Sequence, residues 1–161
     1  MLFRKIPFIA ILTLAAASAF AAGAGELPQG AEGKAIGLFL GQPTGITFRL
    51  GIAKEQSLEA KAAWNLSSKS DTAAIILQGN WLLEFPGILK IQDQDFPLYV
   101  GVGAQVDLGS ATNIGVRVPG GIFYRFPNAP VELNLELGLG MQLFPSTAFV
   151  GSGGLGARYR F

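Results

Sequence analysis

The stretch from Val131 to Phe144 alternates without a break. Val131, Leu133, Leu135, Leu137, Leu139, Met141 and Leu143 fall on one side, and Glu132, Asn134, Glu136, Gly138, Gly140 and Gln142 on the other. A period of two marks a β-strand with one apolar and one polar face. The same rhythm recurs from Lys34 onward in about eight runs separated by turn residues. The runs are Ala35–Leu40, Ile46–Ile52, Leu58–Leu66, Thr72–Phe85, Leu98–Leu108, Ile114–Phe126, Val131–Phe144 and Thr147–Phe161. Gly, Pro, Ser and Asn punctuate the joints, as in Gly41-Gln42-Pro43-Thr44-Gly45 and Pro127-Asn128-Ala129-Pro130. The longest joint is Pro86 to Pro97.

The other runs sort the same way. Val116, Val118, Ile122, Tyr124 and Phe126 oppose Arg117, Phe123 and Arg125; Leu98, Val100, Val102, Ala104, Val106 and Leu108 oppose Tyr99, Gln105 and Asp107. Ile75, Leu77, Trp81, Leu83 and Phe85 oppose Gln78, Asn80 and Glu84; Leu58, Ala60, Ala62, Trp64 and Leu66 oppose Glu59, Lys61 and Asn65. In this register no apolar-face position carries a charge. Pro119 is awkward, because proline removes a ladder donor and a closed sheet has no edge for it. Val118 and Ile122 stay on one face across Pro119-Gly120-Gly121, so the expectation is a local distortion with no net register shift. The fold class expected is all-β: an eight-stranded antiparallel up-and-down transmembrane β-barrel over residues 34–161, preceded by a signal-peptide helix.

The N-terminal residues read as an address. Met1–Lys5 is basic, Ile6–Ala17 is apolar but too short to span a bilayer, and small residues follow. Residues 1–21 are therefore expected to be a cleaved signal peptide, and residues 22–33 a flexible lead.

Composition narrows the function. Half the chain is apolar and only 14% is charged, well below the ~25% of a typical soluble domain. No later apolar run is long enough for a transmembrane helix. Cys and His are absent, which removes disulfides, thiolate metal sites, the usual zinc sites and the common hydrolytic triads. Ser146, Ser152 and Asp71 remain as imaginable catalytic participants, but no base constellation accompanies them. Neither a cofactor nor a metal site is expected. Net charge is +1, and without Arg4 and Lys5 the chain is close to neutral, so no nucleic-acid footprint exists.

Alternation alone does not say which face is inside. The polar face is dominated by Gly, Ala, Ser and Asn, its charges come in both signs on expected neighbours, and aromatics collect near strand ends. These features favour a barrel with its apolar face toward lipid. The interface aromatics would be Trp81, Phe85, Phe96, Tyr124, Phe126, Tyr159 and Phe161 at one end, with Trp64, Phe144 and Phe149 at the other. The lumen would hold Glu59, Glu84, Asp107, Glu132 and Glu136 with Arg49, Lys61, Arg117, Arg125, Arg158 and Arg160. Register across the turns places Glu132 beside Arg125 and beside Arg158 or Arg160, and Arg49 near Glu59. Eight strands leave little interior space. The cluster therefore reads as a salt-bridge plug, with a gate or selectivity ring as the alternative.

The final run, closing on Gly-Ala-Arg-Tyr-Arg-Phe, resembles the C-terminal strand of outer-membrane β-barrels. Together with the leader and the eight runs, it makes the chain similar to the small OmpA-like and OmpX-like barrels. Gly41-Gln42-Pro43-Thr44-Gly45 and Gly115-Val116-Arg117-Val118-Pro119 also look like segments of uncharacterised bacterial outer-membrane proteins of similar size. The resemblance implies location in the cell outer membrane, with lipid as surroundings. It also implies that Tyr159 and Phe161 form an assembly signal read by the barrel-assembly machinery, with periplasmic chaperones as transient partners. The long surface loops of those barrels are missing here, and up-and-down threading puts Pro86–Pro97 on the periplasmic side, which weakens an adhesin role. A monomeric, non-enzymatic barrel with a structural or partner-binding role is expected. A narrow pore for ions or small solutes is the alternative, and a soluble lipid-binding barrel the remote one.

Overall fold

The computed structural model describes residues 33–64 and 75–161. The expected signal peptide, the lead up to residue 32, Asp71 and the third joint lie outside the described residues. Ten strands follow one another: β1 Lys34–Gln42, β2 Thr44–Ala53, β3 Gln56–Trp64, β4 Ile75–Phe85, β5 Lys90–Ile91, β6 Gln94–Asp95, β7 Leu98–Leu108, β8 Thr112–Arg125, β9 Val131–Phe144 and β10 Ala148–Arg160. All but β5 and β6 pair in the closed order β1-β10-β9-β8-β7-β4-β3-β2, an eight-stranded barrel in which every barrel ladder is antiparallel.

The seam that closes the sheet joins the first strand to the last. Ala35 stands opposite Arg160, and the ladder runs on to Gln42 opposite Gly153. Lys34 and Phe161 exchange both backbone hydrogen bonds, at 3.1 and 2.9 Å. Closure leaves no unpaired edge, which is how antiparallel sheets avoid edge-to-edge association.

The alternation in the sequence becomes the two faces of the barrel wall. In β9, Glu132, Asn134, Glu136 and Gly138 are buried, while Leu133, Leu135, Leu137 and Leu139 between them are exposed. In β3, Ser57, Glu59, Lys61 and Ala63 are buried and Leu58, Ala60, Ala62 and Trp64 are exposed. The polar face lines the lumen and the apolar face points out. Leu137, Leu139 and Phe149 are 71%, 76% and 88% exposed. An apolar interior holding a lipid, as in a soluble lipid-binding barrel, is the opposite arrangement.

Joints are tighter than the sequence suggests. Only Pro43 separates β1 from β2, and Thr44 Oγ1 both accepts from the Gly41 amide (3.2 Å) and donates to the Gly41 carbonyl (2.9 Å). The start of β1, the end of β10, the β2–β3 turn, the β8–β9 turn and the Pro86–Pro97 connection share one end of the barrel, called here the terminal end. That connection folds into the small β5–β6 hairpin, with Gln92 and Asp93 at positive φ and Gly87 donating to Asp95 Oδ1 at 2.9 Å. Two-residue strands are too short to carry a period, so the alternation gave no sign of them.

Pro119 is accommodated inside the barrel. It faces the lumen and is fully buried. Ladder partners are missing between the Val100–Gly120 and Gly103–Arg117 pairs, yet the register is the same on both sides. The shift in this region falls instead between Ile114 and Gly115. Gly101 makes room: a Cβ there would sit 2.5 Å from Leu82 Cδ2 and 3.3 Å from the Pro119 ring. Gly101→Leu should therefore overpack the wall and cost about 1–3 kcal/mol. Val102→Leu, one position along and pointing outward, should be near neutral. A denaturant titration of the refolded barrel compares the two directly.

Candidate functional site

The lumen is filled by side chains from every barrel strand. At its centre Glu132 accepts from three arginines: Arg49 Nε and Nη2 at 3.2 and 2.9 Å, Arg125 Nε at 2.8 Å and Arg158 Nη1 at 3.0 Å. Neither Glu132 nor Arg49 exposes any surface. Arg125 also donates to both oxygens of Glu84, at 2.9 and 2.7 Å, and Arg49 Nη1 lies 3.7 Å from Glu84. Glu59 is met by Arg158 Nη2 at 2.6 Å, Lys61 Nζ at 3.2 Å and Asn80 Nδ2 at 3.0 Å. Glu136 is met by Lys61 at 2.6 Å, Arg117 at 2.9 Å and the Tyr99 hydroxyl at 3.0 Å.

Aromatic rings hold this cluster in place. Phe123 is buried at the hub, with the guanidinium carbons of Arg125, Arg158 and Arg49 at 5.0, 5.6 and 5.7 Å from its centroid. Tyr99 stacks on Phe123 at 4.3 Å, and Lys61 Nζ sits 4.1 Å from the centre of the Phe39 ring. A cation over a ring face is attracted by the quadrupole, more so when desolvated. Phe39 and Phe123 occupy lumen positions, so a reading of aromatics as outer-face residues alone misses their part. Their place in the period-two register is the signal that finds them.

Register explains which charges meet. Glu132 stands directly opposite Arg125 on β8 and Arg158 on β10. Arg49 stands opposite Glu59, but its guanidinium crosses the lumen to Glu132 and Glu84 instead. Strand tilt is the reason. Successive ladder partners of Ala35 run through Arg49, Glu59, Asn80, Gly103, Arg117 and Gly140 to Val150. One circuit thus returns to β1 with a stagger of about ten residues, so ladder neighbours lie at different heights along the axis. Among the expected lumen charges, two stand apart from this cluster. Asp107 accepts from Gln105 Nε2 at 2.7 Å near the opposite end. Arg160, at the terminal rim, donates to the Phe126 carbonyl at 3.3 Å. Of the two candidates on β10, Arg158 is the one that donates to Glu132.

No family model matches this chain, and no curated protein and no solved structure shows detectable similarity to it. The geometry must carry the functional reading.

The plug is uneven along the axis. From the terminal end to the middle it is packed with paired charge. Toward the other end the lumen opens into a cavity of about 200 Å³ lined by Gln105, Asp107, Asn113, Arg117, Gln142 and Ser152, among others. Arg117 is its floor, bridged to Glu136 and donating to Ser152 Oγ at 3.2 Å and to Gln78. Ser152 is a lumen hydroxyl on this floor, and its Oγ donates to the Gly138 carbonyl at 3.5 Å. No group of three or more His, Cys, Asp or Glu able to hold a metal occurs among the described residues.

The outward aromatics collect at the two ends. Phe96 stacks on Tyr124 at 5.0 Å and Tyr124 meets Phe126 edge-on at 4.7 Å at the terminal end. Trp81, Phe85 and Phe161 also point outward in the terminal half, and Trp64, Phe144 and Phe149 at the far end.

Removing the hub tests the plug. Glu132→Ala leaves Arg49, Arg125 and Arg158 short of their shared acceptor and should cost about 3–5 kcal/mol, the scale for an orphaned buried charge. Asp107→Asn keeps the size of the side chain and touches none of these pairs, so it should change stability by less than about 1 kcal/mol. Urea midpoints of the two refolded variants at unchanged slope measure the difference.

Proposed function

We propose that this chain is an integral outer-membrane β-barrel, non-enzymatic, with a lumen sealed by its charge network and a structural or partner-docking role. One observation carries the reading: the wall is inverted relative to a water-soluble protein, with leucines outside and arginine–glutamate pairs inside. Fully burying a leucine is worth ~1.5–3 kcal/mol, and soluble monomers rarely show contiguous apolar patches above a few hundred Å². Here the apolar band encircles the barrel and, among the described residues, is interrupted by no outward charge between its ends. A hydrocarbon surround removes that penalty. Barrel strands of 9–14 residues suit the ~9–11 residues that a tilted transmembrane strand requires. The end clusters of Tyr, Phe and Trp have the placement of interfacial girdles.

Buried ion pairs rarely add net stability, because desolvation costs several kcal/mol per ion. Glu132 recovers that cost only by taking four charge-assisted hydrogen bonds at once. An arrangement this interlocked favours occlusion over conduction. The cavity beyond Arg117 is the observation on the side of a narrow pore, but it ends on the plug.

Two measurements test the proposal. In a Gram-negative host the full chain should fractionate with the outer membrane and resist urea extraction. Phe161→Ala keeps the backbone bonds to Lys34, yet should lower the assembled fraction severalfold if the terminal aromatic is an assembly signal. In a planar bilayer the inserted protein should give no discrete steps. Steps in the wild type whose size changes in Glu132→Ala would replace the sealed plug with a gated pore. Recovery in the soluble periplasmic fraction would overturn membrane insertion itself.

A further inference from the structure

We propose that the cavity at the far end of the lumen is a binding site for a small uncharged polyhydroxy compound, about the size of one sugar unit. The cavity lies toward the end of the barrel away from the start of β1 and the end of β10, and Arg117 closes its inner side, so it is a vestibule rather than a passage.

Its electrostatics select against ions. The plug unites five cations, Arg49, Lys61, Arg117, Arg125 and Arg158, with four carboxylates, Glu59, Glu84, Glu132 and Glu136. The surplus positive charge is answered from the vestibule. Arg117 donates to Gln78 Oε1, Gln78 Nε2 donates to Gln105 Oε1 at 2.8 Å, and Gln105 Nε2 donates to Asp107 Oδ1 at 2.7 Å. Every N–H in this chain points from the arginine toward the carboxylate, so Asp107 balances the guanidinium through two amides. An anion entering the vestibule meets Asp107, and a cation meets Arg117. Neither finds a net opposite charge.

What the lining does offer is a mixture of donors and acceptors. Asp107 has a second carboxylate oxygen to give, Gln142 donates to Asn113 Oδ1 at 3.2 Å and keeps its own oxygen, and Asn113 keeps its amide N–H groups. Hydroxyl groups both donate and accept, so several on one small frame satisfy such a lining where a purely donating or purely accepting group does not. Pro43 and Ile76 supply an apolar strip for the C–H face of a ring. A volume of about 200 Å³ accepts one such ring, and a polar cavity of that size is otherwise filled by water. This inference rests on the barrel alone and not on where the barrel resides.

The test uses the full chain refolded in detergent micelles, with side-chain amide resonances followed by NMR. D-glucose and glycerol are the probes; sodium phosphate and methylammonium chloride at equal ionic strength are the ionic controls. Glucose should shift the amides of Gln105, Asn113 and Gln142 saturably, and the ions should not. Asp107→Leu should weaken glucose binding about tenfold, the scale of losing a hydrogen bond to a charged group. Val102→Ile, on the outer wall, should leave it unchanged. If Asp107→Leu does not refold, Gln142→Leu at the rim serves in its place. No saturable shift with either polyol in a well-folded sample overturns the proposal. So do shifts driven by phosphate or methylammonium in their stead, or vestibule variants that bind glucose as the wild type does.

Discussion

A charge inside a closed barrel has nowhere to go but to another side chain. The eight-stranded sheet removes water from most of the lumen and removes every open edge, so each buried guanidinium and carboxylate must be met from within. Glu132 is where this constraint concentrates. It lies between Arg125 and Arg158 by ladder register and receives Arg49 from across the lumen. Glu84 then accepts from Arg125 Nη2, and Glu59 from Arg158 Nη2. Phe123 and Tyr99 fill the space between them. Shifting one strand by a single residue would turn its charges outward and its leucines inward, so the network fixes register as strongly as the apolar face does.

Much of this was legible in the sequence. The bounds of β7 and β9 coincide with the alternating runs, and the face of every lumen charge follows from period two. The pair Arg125–Glu132 follows from turn positions, which on the other flank narrow the partner of Glu132 to Arg158 or Arg160. The Arg49 partner does not, because ladder adjacency is a one-dimensional rule while the meeting of long side chains is set by height along the axis. The stagger of the barrel sets that height, and it is a property of all eight ladders together. Asp107 joins the network only through Gln105 and Gln78, for a related reason. It belongs to the lumen face of β7 but lies close to that strand's far end, beyond the reach of the arginines. The tiny β5–β6 hairpin is not legible because each of its strands spans a single period and so shows no repeat.

Pro119 shows local and global rules in conflict and how the fold resolves it. A proline inside a central strand contradicts strand propensity. Here its ring points into the lumen and Gly101 on the neighbouring strand yields the space. The ladder skips pairs and resumes in phase. The wall therefore tolerates a missing donor without a bulge, because a bulge there would have reversed the faces of Ile122 and Tyr124.

The uneven filling of the lumen joins these points. Large cations and their partners sit from the terminal end to the middle, and glutamines, asparagine and serine take over beyond Arg117. A charge shut away from water must be met by an opposite charge, whereas a neutral amide needs only a hydrogen-bond partner, so the closed half is knit by ion pairs and the amide-lined half carries the cavity. The amide chain from Arg117 to Asp107 links the two regimes, because it leads from a plug with one more cation than carboxylates outward to a carboxylate near the far end. A plug with equal numbers of acids and bases would need no such relay. The surplus cation gives a physical reason for an acid to stand at the mouth of the vestibule, and so for the polar cavity around it.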